Sequence, residues 1–488
     1  MKIKFILPSL TEAEDSFWRP IKYSLFPPLG LATLASYVSD DDEAEIIDQH
    51  VEKLSLDDEP DIVSIQVYIT NAYRAYQIAD YYRSKGVFVV LGGLHVTSLP
   101  EEASQHADVI FLGPGEESFP RFLEDFKKGK SNVEKVYISK TRSLLGVPPI
   151  RRDLIKRNLY LVPNSIVVTR GCPHHCDFCY KDAFFEGGNS FYTQAVDDSL
   201  KEIDRLPGSH LYFLDDHLLG NRKFAKDLFN GMKGMKRVFQ GAATVDSILN
   251  GNLIDLAAEA GMRSIFVGFE SITEENLSRC NKLQNLNKDY TEVINKLHDL
   301  GIMINGSFVF GLDGDDPNVF KKTVEWAISK GITTSTFHIA TPYPGTEFYK
   351  RLKKEERLIT NNWDLYDTRH VTFKPRLMTE AELKNGYQWA YKEFYTWKSI
   401  AKSSLFHGSV KHQIKHFFYS SGWKKFEAFW KIIIEMKKLN QATPILEAVL
   451  SKVSSRNNKV NKREQRVIKK RFAQSKKKEI DINLISKE

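Results

Sequence analysis

Three of the four cysteines of this chain lie within eight residues, at Cys172, Cys176 and Cys179 in the segment GCPHHCDFCYK. Clustered thiols in a chain with so few cysteines indicate a metal site or reactive thiols, because a disulfide framework needs more. A closed zinc site needs four protein ligands. His174 or His175 could supply the fourth, but only from within the three residues between Cys172 and Cys176. A redox-active C-x-x-C pair would use only Cys176 and Cys179. Three thiolates on one loop favour a [4Fe–4S] cluster with one open iron, although the spacing leaves zinc open.

The cysteine loop must be positioned by the elements around it, and it directly follows the strand-like segment SIVVTR. Five more apolar runs follow, with helical stretches between them: HLYFLDD, RVFQGAAT, SIFVGFE, MINGSFVFG and TSTFHIATP. Six strand–helix repeats over residues 164–350 predict a partial (β/α)6 barrel of parallel strands. Chemistry in such a barrel lies at the strand ends, where the sequence places Asp215, Asp216, Gln240, Glu270, Ser307 and His338.

Residues 1–130 show a separate strand–helix alternation and predict an α/β domain with a Rossmann-like, doubly wound parallel sheet. Glycine-bearing turns, PPLG (27–30), GGLH (92–95) and GPGE (113–116), accompany its elements, and ligands of such sheets bind at turns of this kind. Residues 131–163 are predicted to be a linker. Residues 351–453 are predicted to be an aromatic-rich helical extension, and residues 454–488 a basic, disordered tail.

The charge distribution separates an acidic body from a basic end. The net charge is +7, but residues 401–488 hold 21 Lys and Arg against 7 Asp and Glu. No run of eighteen apolar residues and no signal-peptide pattern is present, which predicts a cytoplasmic protein. The basic amphipathic segment FFYSSGWKKFEAFWKIIIEMKKLN leaves open a peripheral contact with the inner face of the membrane, or packing on the protein itself. Nucleic acid is a less favoured partner, since no RNA-binding module is recognised.

The cysteine segment resembles the signature of the radical S-adenosylmethionine (SAM) superfamily, C-x3-C-x-aromatic-C, with Phe178 at the aromatic position. Further segments resemble later barrel strands of that family: YFLDDHLLGN, FVGFES, GSFVFGLDGDD and HIATPYPGTEFYKRL. The resemblance implies that Cys172, Cys176 and Cys179 hold a catalytic [4Fe–4S] cluster. It implies that Asp216, with Asp215 beside it, contacts the SAM amino group, and that Glu270 meets the polar part of SAM. Gln240 and Phe178 are grouped with these cofactor contacts.

The N-terminal domain resembles the cobalamin-binding domain of cobalamin-dependent radical SAM enzymes through PPLGLATLASYV, VSIQVYITN, VVLGGLHVTSLPEEA and DVIFLGPGEESFPRFLEDF. The resemblance implies that the backbone approaches cobalamin closely at five glycines: Gly30, Gly92, Gly93, Gly113 and Gly115. It also implies polar contacts from four side chains: Tyr68, Thr70, His95 and Glu116. The segment DQHVEK departs from the cobalt-ligating D-x-H-x-x-G pattern, because Lys53 replaces its glycine and it follows the second strand. We therefore expect cobalamin without a histidine lower ligand, and neither His50 nor His95 on cobalt.

The resemblance implies methylation of an unactivated carbon in a small-molecule or lipid-like substrate. One SAM would supply a 5′-deoxyadenosyl radical, and methylcobalamin would supply the methyl group. A second SAM would remethylate cobalt. A flavodoxin or ferredoxin would donate electrons. The first alternative is oxidative cyclisation or rearrangement on the same architecture. The second is a cobalamin- or SAM-binding sensor that docks a partner through its basic tail. Auxiliary clusters are excluded because only Cys280 is left over, and Cys280 is expected to pack within a helix.

Overall fold

The computed structural model describes residues 1–10 and 25–425, which form an N-terminal α/β domain, an open barrel and a helical extension. The N-terminal sheet has six parallel strands in the order β2-β1-β3-β4-β5-β6. They are β1 (Lys2–Leu7), β2 (Glu43–Asp48), β3 (Ile62–Gln66), β4 (Phe88–Gly92), β5 (Val109–Leu112) and β6 (Val136–Ile138). The order runs outward from β1 in both directions, so the predicted doubly wound sheet is confirmed.

Helices cover both faces of this sheet, because alternate strand side chains point to opposite sides. They are α1 (Leu29–Ala35), α2 (Ala72–Ser84), α3 (Leu94–Ser98), α4 (Pro100–Ala103) and α5 (Gly115–Lys128). α1 and α5 pack with Ile3 and Phe5 on one face, while α2, α3 and α4 pack with Ile6 and Ile65 on the other. Two apolar layers therefore hold the sheet, and the turns at its carboxyl edge stay open for a ligand.

The segment predicted to be a linker, 131–163, is partly structured. β6 pairs with β5 in parallel and adds a sixth strand to the sheet. Short 3-10 turns follow at Arg152–Leu154 and Arg157–Leu159. The N-terminal sheet therefore extends past residue 130, and its last strand, VYI, has only three residues and is too short to stand out in the sequence.

The barrel contains a six-stranded parallel sheet in the order β14-β13-β12-β11-β10-β7, with an antiparallel hairpin, β8–β9, beside it. The strands are β7 (Ser165–Ile166), β8 (Thr169–Gly171), β9 (Phe191–Thr193), β10 (His210–Phe213), β11 (Val238–Ala243), β12 (Met262–Glu270), β13 (Met303–Phe310) and β14 (Thr334–Ile339). The helices are α6 (Lys181–Phe184), α7 (Val196–Arg205), α8 (Arg222–Met232), α9 (Val245–Leu249), α10 (Leu253–Ala260), α11 (Glu274–Arg279), α12 (Tyr290–Asp299) and α13 (Val319–Ser329). β7 and β14 are the two edges of this sheet, so the predicted partial barrel is confirmed.

The C-terminal extension contacts both domains. Its helices are α14 (Glu347–Lys354), α15 (Glu380–Phe394), α16 (Trp397–Ser404) and α17 (Val410–Lys425). Between α14 and α15, Trp363 and Tyr366 enter the core of the N-terminal domain, and Trp363 donates from Nε1 to Glu102 at 3.2 Å. The chain thus returns from the barrel to fasten the two domains together. Within the parts of the chain that the structure describes, no helix is long and apolar enough to cross a membrane. The predicted tail, 454–488, and the rest of the extension beyond 425 lie outside the described residues.

Candidate active site between the two domains

The cysteine loop leaves the β8–β9 hairpin and is fastened at both ends. At its start, Gly171 has φ +72°, and a Cβ there would lie 2.0 Å from the Ser190 carbonyl oxygen. The backbone N–H of Cys172 donates to the same oxygen at 3.1 Å, so only glycine fits the position before it. Farther along, the carboxylate of Asp177 binds Arg351 of α14 at 2.7 Å. The hairpin and the extension therefore fix the path of the loop.

Of the three cysteines of the loop, Cys176 is buried against the barrel, and Cys172 and Cys179 are half-buried. Burial raises the pKa of Cys172 to about 11 and that of Cys179 to about 12, and it also raises the pKa of Cys176. Thiols in such surroundings become thiolates when a metal supplies the positive charge. Gln284 donates from Nε2 to the Cys176 sulfur at 3.3 Å, a contact that also suits a ligating thiolate. The surroundings of all three sulfurs fit metal ligands.

The histidines of the loop have partners of their own within the protein. Across residues 1–10 and 25–425, no three His, Cys, Asp or Glu side chains are grouped as the ligands of a single metal ion would be. His175 Nδ1 lies 3.0 Å from Asp182, and His174 stacks on His217 at 5.6 Å between ring centroids. Cys280, the residue directly after α11, is buried and donates its thiol to the Leu277 carbonyl oxygen at 3.6 Å, as expected for a packed residue.

A buried ion pair lies behind the cysteines. Lys282 Nζ is 2.9 Å from Glu270 Oε1, and their side chains are only 8% and 11% exposed. Burial alone would lower the pKa of Lys282, but the carboxylate of Glu270 and the thiols of Cys176 and Cys172 raise it. Lys282 is therefore a cation held against the sulfurs, where a negatively charged cluster would need one. Glu270 occupies the predicted strand end with φ +62°, a conformation that non-glycine residues rarely adopt.

The two neighbouring aspartates after β10 have different surroundings. Asp215 is buried, and its Oδ1 accepts from the backbone N–H groups of Val168 at 3.0 Å and Thr169 at 2.5 Å. Burial raises the pKa of Asp215 to about 6 despite these hydrogen bonds. Asp215 therefore fastens the chain after β7 to β10, and its role as a cofactor contact stays a prediction. Asp216 instead opens into the space between the domains, where it accepts from Tyr180 at 3.0 Å. Enclosure there raises the pKa of Asp216.

Two other predicted contacts lie farther from this space. Gln240 is the third residue of β11, and its amide binds His210 of β10 at 3.2 Å. It does not line either cavity described below, and its role as a cofactor contact stays a prediction. The sequence places Gln240 at the end of its strand, but β11 continues to Ala243. Phe178 packs against the barrel core, so its side chain supports the loop from below.

A first cavity of about 280 Å³ separates the glycine turns from the barrel. It is lined on one side by the predicted residues Gly30, Gly92, Gly93, Gly113, Gly115 and Glu116, and on the other by barrel residues including Arg170 and Asp216. Gly93 has φ +119°, and a Cβ there would lie 2.7 Å from the Val67 carbonyl oxygen. The fold itself therefore requires Gly93, whether or not a ligand approaches. The five glycines bring the backbone close to the cavity on one side, which would let a planar cofactor approach it.

Glu116 joins the two sides of this cavity. Its Oε1 lies 2.9 Å from Arg170 Nε, and the side chains are 12% and 21% exposed. Burial would lower the pKa of Arg170, but the carboxylate of Glu116 raises it. The ion pair connects the GPGE turn directly to the strand that precedes Cys172, so the distance between the glycine turns and the cysteine loop is fixed.

A second cavity of about 320 Å³ lies beside the first and is mostly apolar. The predicted residues Tyr68, Thr70 and His95 line it, together with Leu10, Tyr180, Tyr343, Tyr366 and Arg369. His95 is 2% exposed, and its Nε2 lies 2.9 Å from Glu102. Tyr68 accepts from Gln66 at 2.9 Å. Tyr180 lines this cavity and binds Asp216 in the first, so the two cavities meet beside Cys179.

His50 lies near neither cavity lining. Its Nδ1 is 2.8 Å from Asp48 at the end of β2. His50 and His95 both have carboxylate partners within the protein, and the absence of a histidine below cobalt stays a prediction.

Sequence reasoning missed four residues of this site: Arg170, Tyr180, Lys282 and Gln284. Arg170 and Tyr180 flank the cysteine motif directly, so their proximity to the cysteines was available as a signal. Lys282 follows Glu270 by twelve residues, and no spacing rule relates a strand-end acid to such a position. Only the folded path of the loop after β12 brings Lys282 back to the cysteines.

Comparison with known families and structures agrees with this two-part site. Residues 166–327 match the radical SAM superfamily, and residues 23–123 match the B12 binding domain. Residues 346–442 match DUF4070, a domain of unknown function.

Individual proteins are similar over most of the chain. Bacteriochlorophyllide d C-12(1)-methyltransferase of Chlorobaculum tepidum is 29% identical over 70% of this chain and 76% of its own length. An anaerobic magnesium-protoporphyrin IX monomethyl ester cyclase of Cereibacter sphaeroides is 23% identical over 65% of this chain and 56% of its own. The structure of OxsB, a cobalamin-dependent SAM radical enzyme, superposes with a TM-score of 0.63 at 16% identity, covering 88% of this chain and 72% of OxsB. That structural likeness shows a shared fold.

Proposed function

This chain is a radical SAM enzyme with an N-terminal B12-binding domain, and from that premise we propose that it methylates an unactivated carbon of an apolar small molecule. The main support is that two cavities meet beside the cysteine loop. The hydrogen bond of 3.0 Å from Tyr180 to Asp216 connects the lining of one cavity to that of the other. One cavity has the glycine-rich floor of the B12-binding domain. The other has the apolar wall that a substrate needs. A substrate carbon in the second cavity would lie close to both domains.

When bound, a [4Fe–4S] cluster with SAM would supply the radical that removes a hydrogen atom, and cobalamin would supply the methyl group. The residues of this chain bind and orient these groups. Cys172, Cys176 and Cys179 would ligate three irons. Lys282 would balance the negative charge of the thiolates, and Glu270 would hold that lysine in place.

In this proposal, the domain interface shields the reacting atoms from water. The Glu116–Arg170 ion pair fixes the two domains edge to edge at one side. Trp363 of the extension fastens them at the other side through Glu102. A reactive radical needs such enclosure, because solvent and stray side chains would otherwise quench it. Asp216 then remains the acid in the first cavity that can meet the amino group of SAM.

The second cavity supports a flat or polycyclic apolar substrate. Four tyrosines line it, and its wall is mostly carbon: Tyr68, Tyr180, Tyr343 and Tyr366. Aromatic rings of this kind stack on planar or ring-containing ligands. Arg369 and Asp367 at one side form an ion pair of 2.8 Å, and within residues 1–10 and 25–425 they are the only Asp, Glu, Lys or Arg side chains that line this cavity. Similarity to an enzyme named for a bacteriochlorophyllide supports a ring-containing substrate.

Two further roles are part of the proposal. Reducing equivalents would come from a flavodoxin or ferredoxin at the exposed part of the cysteine loop, where the His175 side chain is 63% exposed. Oxidative cyclisation without methyl transfer is the second candidate, favoured by the similarity to a magnesium-protoporphyrin ester cyclase. The match to the radical SAM superfamily favours either reaction over the sensor interpretation.

A labelled methyl group tests the proposal. Anaerobic full-length enzyme carrying cluster and cobalamin would be incubated with reductant, SAM bearing a deuterated methyl group and an apolar extract of the source cells. We expect a product that contains the deuterated methyl group, and none with Cys176→Ala. A product of changed mass without the label would support cyclisation, and unchanged extract in the presence of 5′-deoxyadenosine formation would contradict methylation.

A further inference from the structure

The last two described helices, α16 and α17, present apolar side chains to solvent. Val410, Ile414 and Phe418 recur every four residues on α17, so they lie on one face, and they are 68%, 52% and 67% exposed. Leu405, in the turn before α17, is 68% exposed. Single exposed apolar residues are ordinary, but several on one surface mark an interaction site. These four residues are called the α17 face below.

The exposure of this face does not come from a loosely attached helix, since the other side of α17 is docked on the barrel. Lys415 and His416 are buried, and Lys415 Nζ donates to the Gly301 carbonyl oxygen at 3.2 Å. Ser420 donates to the carbonyl oxygen of Thr333, and Ser403 of α16 donates to that of Ile332 at 3.0 Å. The buried side therefore fixes the orientation of α17. The α17 face points outward because it lies on the opposite side of the helix.

The charge of the chain segment that carries this face has a single sign. No Asp or Glu lies between Glu393 and Glu427, whereas that stretch contains six lysines. Lys398, Lys402 and Lys411 are exposed. Residues 426–488, which continue from α17, contain 16 Lys and Arg against 7 Asp and Glu. A basic segment does not complement a basic surface, so charge disfavours that segment as the cover of the α17 face.

We propose that the α17 face binds the anionic surface of a phospholipid bilayer, with α16 and α17 lying in the plane of the interface. Helices that combine exposed large apolar residues with surrounding lysines bind in this way. The apolar side chains enter the boundary of the acyl chains, and the lysines remain at the level of the anionic head groups. Nucleic acid would match the lysines but would leave the apolar stripe without a partner.

The position of the face is compatible with activity at the membrane. α16 and α17 contact Gly301, Ile332 and Thr333, which immediately precede β13 and β14. These are the amino ends of the strands, whereas the cysteine loop and both cavities lie toward the carboxyl ends. A bilayer at the α17 face therefore leaves the cavities uncovered. The inference goes beyond the proposed reaction and does not depend on it.

Vesicle flotation with the full-length, cluster-loaded protein tests this proposal. The probes are vesicles of phosphatidylcholine alone and of phosphatidylcholine mixed with phosphatidylglycerol. We expect flotation only with the anionic vesicles, weakening as salt is added. Ile414→Glu combined with Phe418→Glu should lower the partition coefficient at least about tenfold. Replacing Lys398 or Lys402 with Ser should lower it up to about fivefold each.

A matched control uses two exposed leucines elsewhere, Leu145 and Leu377, which are 68% and 57% exposed. The variant Leu145→Glu/Leu377→Glu should float like the wild type. SAM cleavage in solution, measured as 5′-deoxyadenosine, should be unchanged in every variant, which separates this proposal from the reaction itself.

Several outcomes would overturn the proposal. One is wild-type protein that ignores anionic vesicles, or floats equally with neutral ones. Another is unchanged flotation of the Ile414/Phe418 variant. A lower melting temperature of that variant without lipid would show that residues 426–488 cover the face. Loss of a wild-type dimer would show that a second copy covers it, and binding only to a nucleic-acid probe would assign the lysines to that partner.

Discussion

Replacement of Lys282 by methionine is the most informative perturbation of the site. Methionine keeps the length and apolar stem of the side chain and removes only its charge. Glu270 then remains as a carboxylate that is 11% exposed, with no cation at 2.9 Å. Breaking a buried ion pair by removing one partner costs about 3–5 kcal/mol, because the remaining charge is left uncompensated. We expect Lys282→Met to lower the free energy of unfolding of the cluster-free barrel by that amount.

The double variant Glu270→Gln/Lys282→Met provides the matched control. It removes both charges, so the desolvation penalty of the lone carboxylate disappears. We expect its free energy of unfolding to lie within about 1–2 kcal/mol of the wild type, since neutral replacement of a buried pair is often nearly neutral. Both variants should be unable to cleave SAM, because the charge beside the sulfurs is gone in each.

Urea unfolding under anaerobic conditions, followed by intrinsic fluorescence, measures the difference. A loss of about 3–5 kcal/mol corresponds to a fall of roughly 1 M or more in the urea midpoint at ordinary m-values. A single variant that unfolds at the wild-type midpoint would refute the claim that the pair is buried and coupled. A double variant as unstable as the single one would refute the assignment of the loss to the stranded carboxylate.

Two more predictions concern a structural acid and a buried cluster of imidazoles. Asp215→Ala should lower the free energy of unfolding by about 2–4 kcal/mol, because two buried N–H groups lose their acceptor. Asp216→Ala should lower it by less than about 1 kcal/mol and should impair SAM cleavage instead. Urea unfolding and the yield of 5′-deoxyadenosine check the two variants, and equal losses of stability would contradict this prediction. Burial, and then neighbouring histidines, lower the pKa of His298 and of His416 to about 3, and the lining around them contains His407, His412 and Lys415 but no carboxylate. The folded form therefore holds fewer protons than the unfolded form, so the docking of α17 should be fully stable above about pH 6.5 and lose about 2–3 kcal/mol as the pH falls to about 5.5. Hydrogen exchange of α17 at several pH values measures this loss, and protection that does not change over that range would contradict it.

Much of the fold follows from local patterns. The strands of both sheets are runs of apolar residues, such as KIKFIL and MINGSFVF, and buried parallel strands have that composition. The cysteine spacing and the glycine turns are equally local, which explains why Cys172, Cys176 and Cys179 could be identified together. The structure adds that the two motifs face each other across one interface.

The parts that the sequence did not reveal depend on long-range contacts. Consecutive residues point to opposite sides of a strand, but only the packed structure shows that Asp215 faces inward and Asp216 faces the cavity. Arg170 meets Glu116 across 54 positions, and Trp363 meets Glu102 across 261. No local pattern encodes such pairs. The end of β11, which the sequence places near Gln240, lies at Ala243 for a related reason, because it depends on pairing with β12.

The most direct test of the central claim is the cleavage of SAM by the reduced, full-length protein that carries its cluster and cobalamin. The wild type should release 5′-deoxyadenosine when dithionite and SAM are added, and Cys176→Ala should release none. Release of equal amounts by the two proteins, or of none by a wild type that retains its cluster, would contradict a radical SAM site at Cys172, Cys176 and Cys179.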